Sequence, residues 1–128
     1  MNKKVLIVED EKPLLNAASQ SLERNGYDTY AATSAKEAIA QLESYDPIDA
    51  VWLDHYLLDQ DTGLDLLEKM KKNKKWKNIP VFVVTNSVGD DKIRKYTVLG
   101  IEKYYIKAES SLGKIIKDID DFFAGKEL

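Results

Sequence analysis

The sequence predicts an α/β fold: a doubly wound parallel sheet of five strands with helices on both faces. Three observations predict it. Short apolar runs recur along the chain, helical patterns with their own start and stop signals fill the intervals, and the runs are apolar on both faces, as strands are when helices cover a sheet on either side.

The first run is "VLIV" at 5–8. A helix is expected from about Pro13, burying Leu14, Leu15, Ala18 and Leu22 and stopping at Asn25-Gly26, where glycine tolerates the left-handed C-terminal position. "YDTYAA" (27–32) is a weaker second strand. The second helix opens at Ser34-Ala-Lys-Glu37, read as a capping box in which hydroxyl and carboxylate satisfy free amides, with Ala38, Ile39 and Leu42 facing inward. "IDAVWL" (48–53) is the third strand, and the third helix follows Gly63 with Leu64, Leu67 and Met70. "PVFVV" (80–84) precedes a helix from about Asp90 to Leu99. "YYI" (104–106) precedes a last helix carrying Leu112, Ile115, Ile116, Ile119 and Phe123. Right-handed crossovers between parallel strands then place helices on both sides.

With 128 residues, 44% of them hydrophobic, the chain suits one domain spanning 1–128 with one continuous core. Nineteen basic against 22 acidic residues give a net charge of -3, so no basic field exists to attract nucleic acid or an anionic membrane. The absence of cysteine excludes disulfides, thiolate metal sites and cysteine catalysis, and suits a reducing compartment. "MNKKVLIVED" carries four consecutive apolar residues before two acids, too short for a signal peptide or a membrane span. The expected location is cytoplasmic.

In open parallel sheets the ligand site lies beyond the carboxyl ends of the strands, near the point where strand order reverses. Glu9 and Asp10 follow the first run, Asp54 the third, Thr85 the fourth and Lys107 the fifth. These residues converge if the strand order is 2-1-3-4-5, which also puts the weak second strand at an edge. Two carboxylates about 4 Å apart repel by roughly 4 kcal/mol at an effective dielectric near 20, so the three acids call for a counter-ion. A hard divalent cation such as Mg2+ takes oxygen ligands of this kind. With it in place Asp54 could attack a phosphoryl group, and Thr85 and Lys107 could bind the oxygens that carry the added charge.

Taken in order, "VLIVEDE", "VWLD", "VFVVTN" and "YYIKA" resemble the receiver domains of two-component response regulators over residues 3 to about 124. The resemblance implies a flavodoxin-like sheet and Mg2+ held by Asp10, Asp54 and the backbone carbonyl of Tyr56, with Glu9 acting through water. It implies phosphotransfer to Asp54 from a sensor histidine kinase or phosphotransfer protein, slow self-catalysed dephosphorylation, and Tyr104 as the aromatic that changes rotamer with Thr85. Output then passes to a downstream protein through the face formed by the fourth helix, fifth strand and fifth helix, and phosphorylation could drive a homodimer. Lys92, Lys95, Tyr104, Tyr105 and Lys117 are expected as exposed members of that face. Along the fifth strand Tyr104 and Ile106 share one side, Tyr105 and Lys107 the other.

The chain departs from the family pattern in three places. Ala108 replaces the proline that usually follows the lysine; a cis bond to a non-proline residue costs about 2.5–4 kcal/mol, so a trans Lys107–Ala108 peptide is expected. Leu58 stands where the loop after Asp54 usually has proline, and Gly63 falls one residue late. Asn86 stands beside Thr85 where a small residue is usual, which is expected to hinder an attacking water.

Other features have ordinary readings. Asp10 alone could cap the first helix. Asp59, Asp61 and Asp65 read as turn and first-turn acids, and the lysines of "KMKKNKKWKN" (69–78) as solvation and dipole complement for the end of the third helix. His55, the only histidine, has no second base spaced to orient it and reads as a solvent-facing loop residue. Other functions weighed are a receiver degenerate in chemistry that serves as a docking module, a Mg2+-dependent phosphohydrolase and a flavodoxin-like nucleotide carrier. The hydrolase would need an acid where Tyr56 stands, and the carrier a neutral loop where "EDEKP" stands.

Overall fold

A computed structural model describes residues 2–87 and 89–126. Strands β1 (Lys4–Val8), β2 (Asp28–Ala32), β3 (Ala50–Leu53), β4 (Val81–Thr85) and β5 (Lys103–Ile106) alternate with helices α1 (Lys12–Arg24), α2 (Ala35–Ser44), α3 (Gly63–Lys71), α4 (Asp90–Val98) and α5 (Leu112–Phe123). All pairings are parallel and the order is β2-β1-β3-β4-β5, the flavodoxin-like arrangement expected, with the polar second strand at an edge.

Alternation along each strand divides the core in two. Leu6, Val8, Val51, Leu53, Val81 and Val83 face one side, where Ala38 and Leu42 of α2, Leu66, Leu67 and Met70 of α3 and Tyr96 of α4 cover them. Val5, Ile7, Ala50, Trp52, Phe82 and Val84 face the other, against Ala18 and Leu22 of α1 and Ile115, Ile116 and Ile119 of α5. The nearly unbroken apolar composition of β1, β3 and β4 is the consequence, because both of their faces are buried.

Local signals acted with some changes of partner. Ser34 caps α2 by accepting from the Glu37 N–H. Glu37, however, reaches back to the Thr33 N–H (2.7 Å) rather than to Ser34, so the box is one residue wider than expected. Asp59 adds a second cap from across the loop, accepting from the N–H groups of Ala35 and Lys36. A capping box absent from the sequence reading, Thr62 with Asp65, starts α3. The Lys107–Ala108 peptide is trans as expected; among the described residues the one cis bond is Asp46–Pro47.

Candidate functional site

Backbone pairing carries the strand ends to a common level. The Glu9 N–H donates to the Ala32 carbonyl, Asp54 N–H to Val8 and Lys107 N–H to Thr85. Side chains that leave the sheet there meet over its carboxyl edge. Glu9, Asp10, Glu11 and Asp54 each bring a carboxylate oxygen within 4.8 Å of the others. Lys107 Nζ lies among them, 2.8 Å from Glu9 Oε1, 3.0 Å from Asp54 Oδ2 and 3.2 Å from Glu11 Oε1.

Glu11 is the member that sequence reasoning missed. It stands at the N-cap of α1 but makes no capping hydrogen bond, because its carboxylate faces Lys107 instead. Its position two residues after Glu9 was the available signal, obscured by its place at the start of a helical pattern. Asp10, weighed as a cap, is not the N-cap residue.

One ammonium among four carboxylates leaves negative charge in excess. Glu9 is fully buried. Its Oε2 accepts from the Glu11 N–H, whereas Oε1 faces Lys107 off the hydrogen-bonding direction and has no aligned donor. Burial pushes the Glu9 carboxyl up to about 7, outweighing the lowering by Lys107 and the Glu11 N–H, and the Asp54 charge adds to the rise. Burial pulls Lys107 down, but Glu9 and Asp54 together hold it above the ordinary lysine range. A buried carboxylate oxygen whose one ammonium neighbour is misaligned and shared with other acids, inside an all-oxygen donor set, fits a hard divalent cation.

Thr85 is buried at the end of β4, and its Oγ1 accepts from the Ser87 N–H. Tyr104, half-buried, donates to the Ser87 carbonyl at 2.6 Å. The two residues therefore meet through one segment, 85–87. Tyr56 is 53% exposed, its ring 5.5 Å from Lys92 Nζ and its Oη 3.5 Å from Ser87 Oγ.

Two expectations are corrected. His55 does not face solvent: it is 6% exposed, with Nδ1 2.7 Å from Tyr96 Oη. The sequence could not reveal this partner 41 positions away. Tyr105 is not on an exposed face, because its ring packs in the core and its hydroxyl donates to Asp118 Oδ2. Asn86 is exposed, and its Oδ1 accepts from the Ala108 N–H (3.0 Å), tying the β4 loop to the residue after Lys107. Gly63, late by the family pattern, is required where it stands: a Cβ there would lie 2.3 Å from the Asp54 carbonyl oxygen.

The family model for the response regulator receiver domain matches residues 5–120. The alkaline phosphatase synthesis transcriptional regulatory protein PhoP of Bacillus subtilis (strain 168) is 33% identical over 102 residues, 80% of this chain and 39% of that protein. The chain thus spans well under half the length of that relative. The phosphorylated cyanobacterial phytochrome response regulator RcpA superposes with a TM-score of 0.82 at 25% identity, covering 97% of this chain and 95% of that one. The Mn(2+)-bound form of response regulator Rcp1 does so with a TM-score of 0.82 at 25% identity, covering 94% of each. No helix among the described residues is long and apolar enough to cross a membrane.

Proposed function

Since this chain belongs to the response regulator receiver domains, we propose that Asp54 is its phosphoacceptor, that a Mg2+ ion is held beside it, and that the domain signals by the change this phosphate causes. The reading rests above all on one observation, Lys107 Nζ placed 3.0 Å from Asp54 Oδ2 inside a surplus of carboxylate. An Asp54 oxygen attacks the phosphorus of a phosphohistidine on a histidine kinase or phosphotransfer protein. The P–N bond breaks, its electron pair stays on the donor imidazole, and an acyl phosphate forms on Asp54.

Asp10, Asp54, the Tyr56 carbonyl and, through water, Glu9 would hold the ion, with Glu11 added to the set by its position. When bound, the ion supplies positive charge to the phosphoryl oxygens as they approach the acids. Lys107 holds Asp54 oriented and then pairs with a phosphoryl oxygen. Thr85, freed from the Ser87 N–H, donates its hydroxyl to another, and Tyr104 turns as the 85–87 segment moves. The phosphate leaves when water attacks phosphorus, releasing inorganic phosphate and restoring the carboxylate. Asn86 stands at that mouth. Output passes through α4, β5 and α5 to a downstream protein, with Lys92, Lys95, Tyr104 and Lys117 on offer; Asp118 and Tyr105 are its buried support.

Incubation with Mg2+ and acetyl phosphate, followed by intact mass, tests the assignment. One phosphate, stable in acid and labile in base, is expected on the unaltered chain and none on Asp54→Asn. Phosphate retained by Asp54→Asn overturns it.

A further inference from the structure

His55 and Tyr96 are not used by the mechanism above, yet they join the acceptor to the helix with the fewest buried side chains. The His55 N–H donates to Asp54 Oδ1 at 2.7 Å, and its ring Nδ1 lies 2.7 Å from Tyr96 Oη. The Tyr96 ring is set edge-on to His55 and to Tyr104, with centroids 5.7 Å from each. Both polar atoms of the pair are inside the protein, where a lost partner is costly. Space around them is closed: a Cβ on Gly63 would come within 2.9 Å of Tyr96 Oη and 2.3 Å of the Asp54 carbonyl oxygen.

The four other helices each bury three or four residues, whereas α4 buries Tyr96 alone. A helix held by one buried side chain follows that side chain. The hydroxyl of this anchor bonds to the residue immediately after Asp54. Conversion of the Asp54 carboxylate to an acyl phosphate weakens Oδ1 as an acceptor, whichever oxygen is esterified, because the full anionic charge leaves the carboxyl group. The His55 N–H contact then loosens and its ring can shift.

We infer that the His55–Tyr96 hydrogen bond couples the phosphorylation state of Asp54 to the position of α4, by a link separate from Thr85 and Tyr104. His55 and Tyr96 are positioning residues in this scheme. It rests on the assignment of Asp54 as phosphoacceptor.

The chain has one histidine, so nitrogen NMR reads a single imidazole. In the full chain with Mg2+ and acetyl phosphate, the His55 ring signals and the amides of Ile93 to Thr97 are expected to shift as phosphate appears on Asp54. Tyr96→Phe keeps the ring and removes the bond. It is expected to reach a phosphate stoichiometry within about twofold of the unaltered chain while the α4 amide response falls by about half or more. His55→Asn offers a hydrogen-bonding atom near the position of Nδ1 and is expected to retain the response, where His55→Ala loses it.

An α4 response in Tyr96→Phe equal to that of the unaltered chain at matched stoichiometry overturns the coupling, as does His55→Asn behaving like His55→Ala. Either result leaves the phosphoacceptor assignment standing. No phosphate on Asp54 in the unaltered chain overturns that assignment and the coupling with it.

Discussion

Two buried carboxylates in this molecule live under opposite charge conditions. Asp118 in α5 accepts from Tyr105 Oη at 2.7 Å, Lys103 Nζ at 3.0 Å and Lys114 Nζ at 2.8 Å, so one anion is met by two cations and a hydroxyl. Burial would raise its carboxyl, but Lys114, Tyr105 and Lys103 outweigh this and hold it at about 2. Glu9 shares a single ammonium with three other carboxylates and is pushed up to about 7. Both side chains are buried, and the charges around them are balanced at one site and not at the other. A matched cluster stabilises the fold as it stands, whereas an unmatched one is complete only with something added, here a cation and then a phosphate.

The largest effect that sharpens this contrast is Asp118→Ala. Removing the acceptor leaves the Tyr105 hydroxyl buried without a partner and two partly exposed ammonium groups without their shared anion, and is expected to lower the unfolding free energy by about 3 kcal/mol in urea titrations. Phosphate uptake at Asp54 should persist under native conditions, since none of the three partners of Asp118 belongs to the carboxylate–lysine site. A loss under about 1 kcal/mol would mean that the cluster is solvated and contributes little.

Acid breaks the same cluster more gently. The Asp118 carboxyl lies below its ordinary value of 3.8, so its contribution is fully present above that pH and disappears as pH falls toward about 2. The shift corresponds to roughly 2 kcal/mol. The difference in unfolding free energy between the unaltered chain and Asp118→Asn should therefore shrink by about that amount from pH 5 to pH 2. A difference independent of pH across that range would rule out ionised Asp118 as its source.

How much of this was legible follows from the range of each interaction. Apolar runs at 5–8, 48–53 and 80–84 are local and marked the central strands, although Ile48 and Asp49 precede β3 rather than joining it. Acids and a lysine at strand ends converge by topology, so the positions of Glu9, Asp10, Asp54 and Lys107 in the sequence already bring them together. Glu11 was hidden because a residue at a helix start has a competing local role. The Asp118 cluster joins α5 to β5 through Tyr105, expected on an exposed face, because a tyrosine hydroxyl gives no local sign of the buried acceptor it meets. His55 found its partner across 41 positions, and nothing in its own neighbourhood announced Tyr96.

The smallest effect carries the most information about the unmatched cluster. Glu9→Gln keeps the shape of the side chain and removes a charge that its surroundings disfavour, so in chelator the variant is expected to be more stable than the unaltered chain by about 1 kcal/mol. This sign is opposite to that of Asp118→Ala. Added Mg2+ should reverse it: at a hundredfold excess over its dissociation constant a ligand that binds the folded state alone stabilises by about 2.7 kcal/mol, and the unaltered chain, with Glu9 intact, should gain more of this than the variant. Thermal unfolding with and without Mg2+ measures both halves. A Glu9→Gln chain less stable than its parent in chelator would show that Lys107 alone balances the four acids, and the charge surplus from which the cation site is argued would be gone.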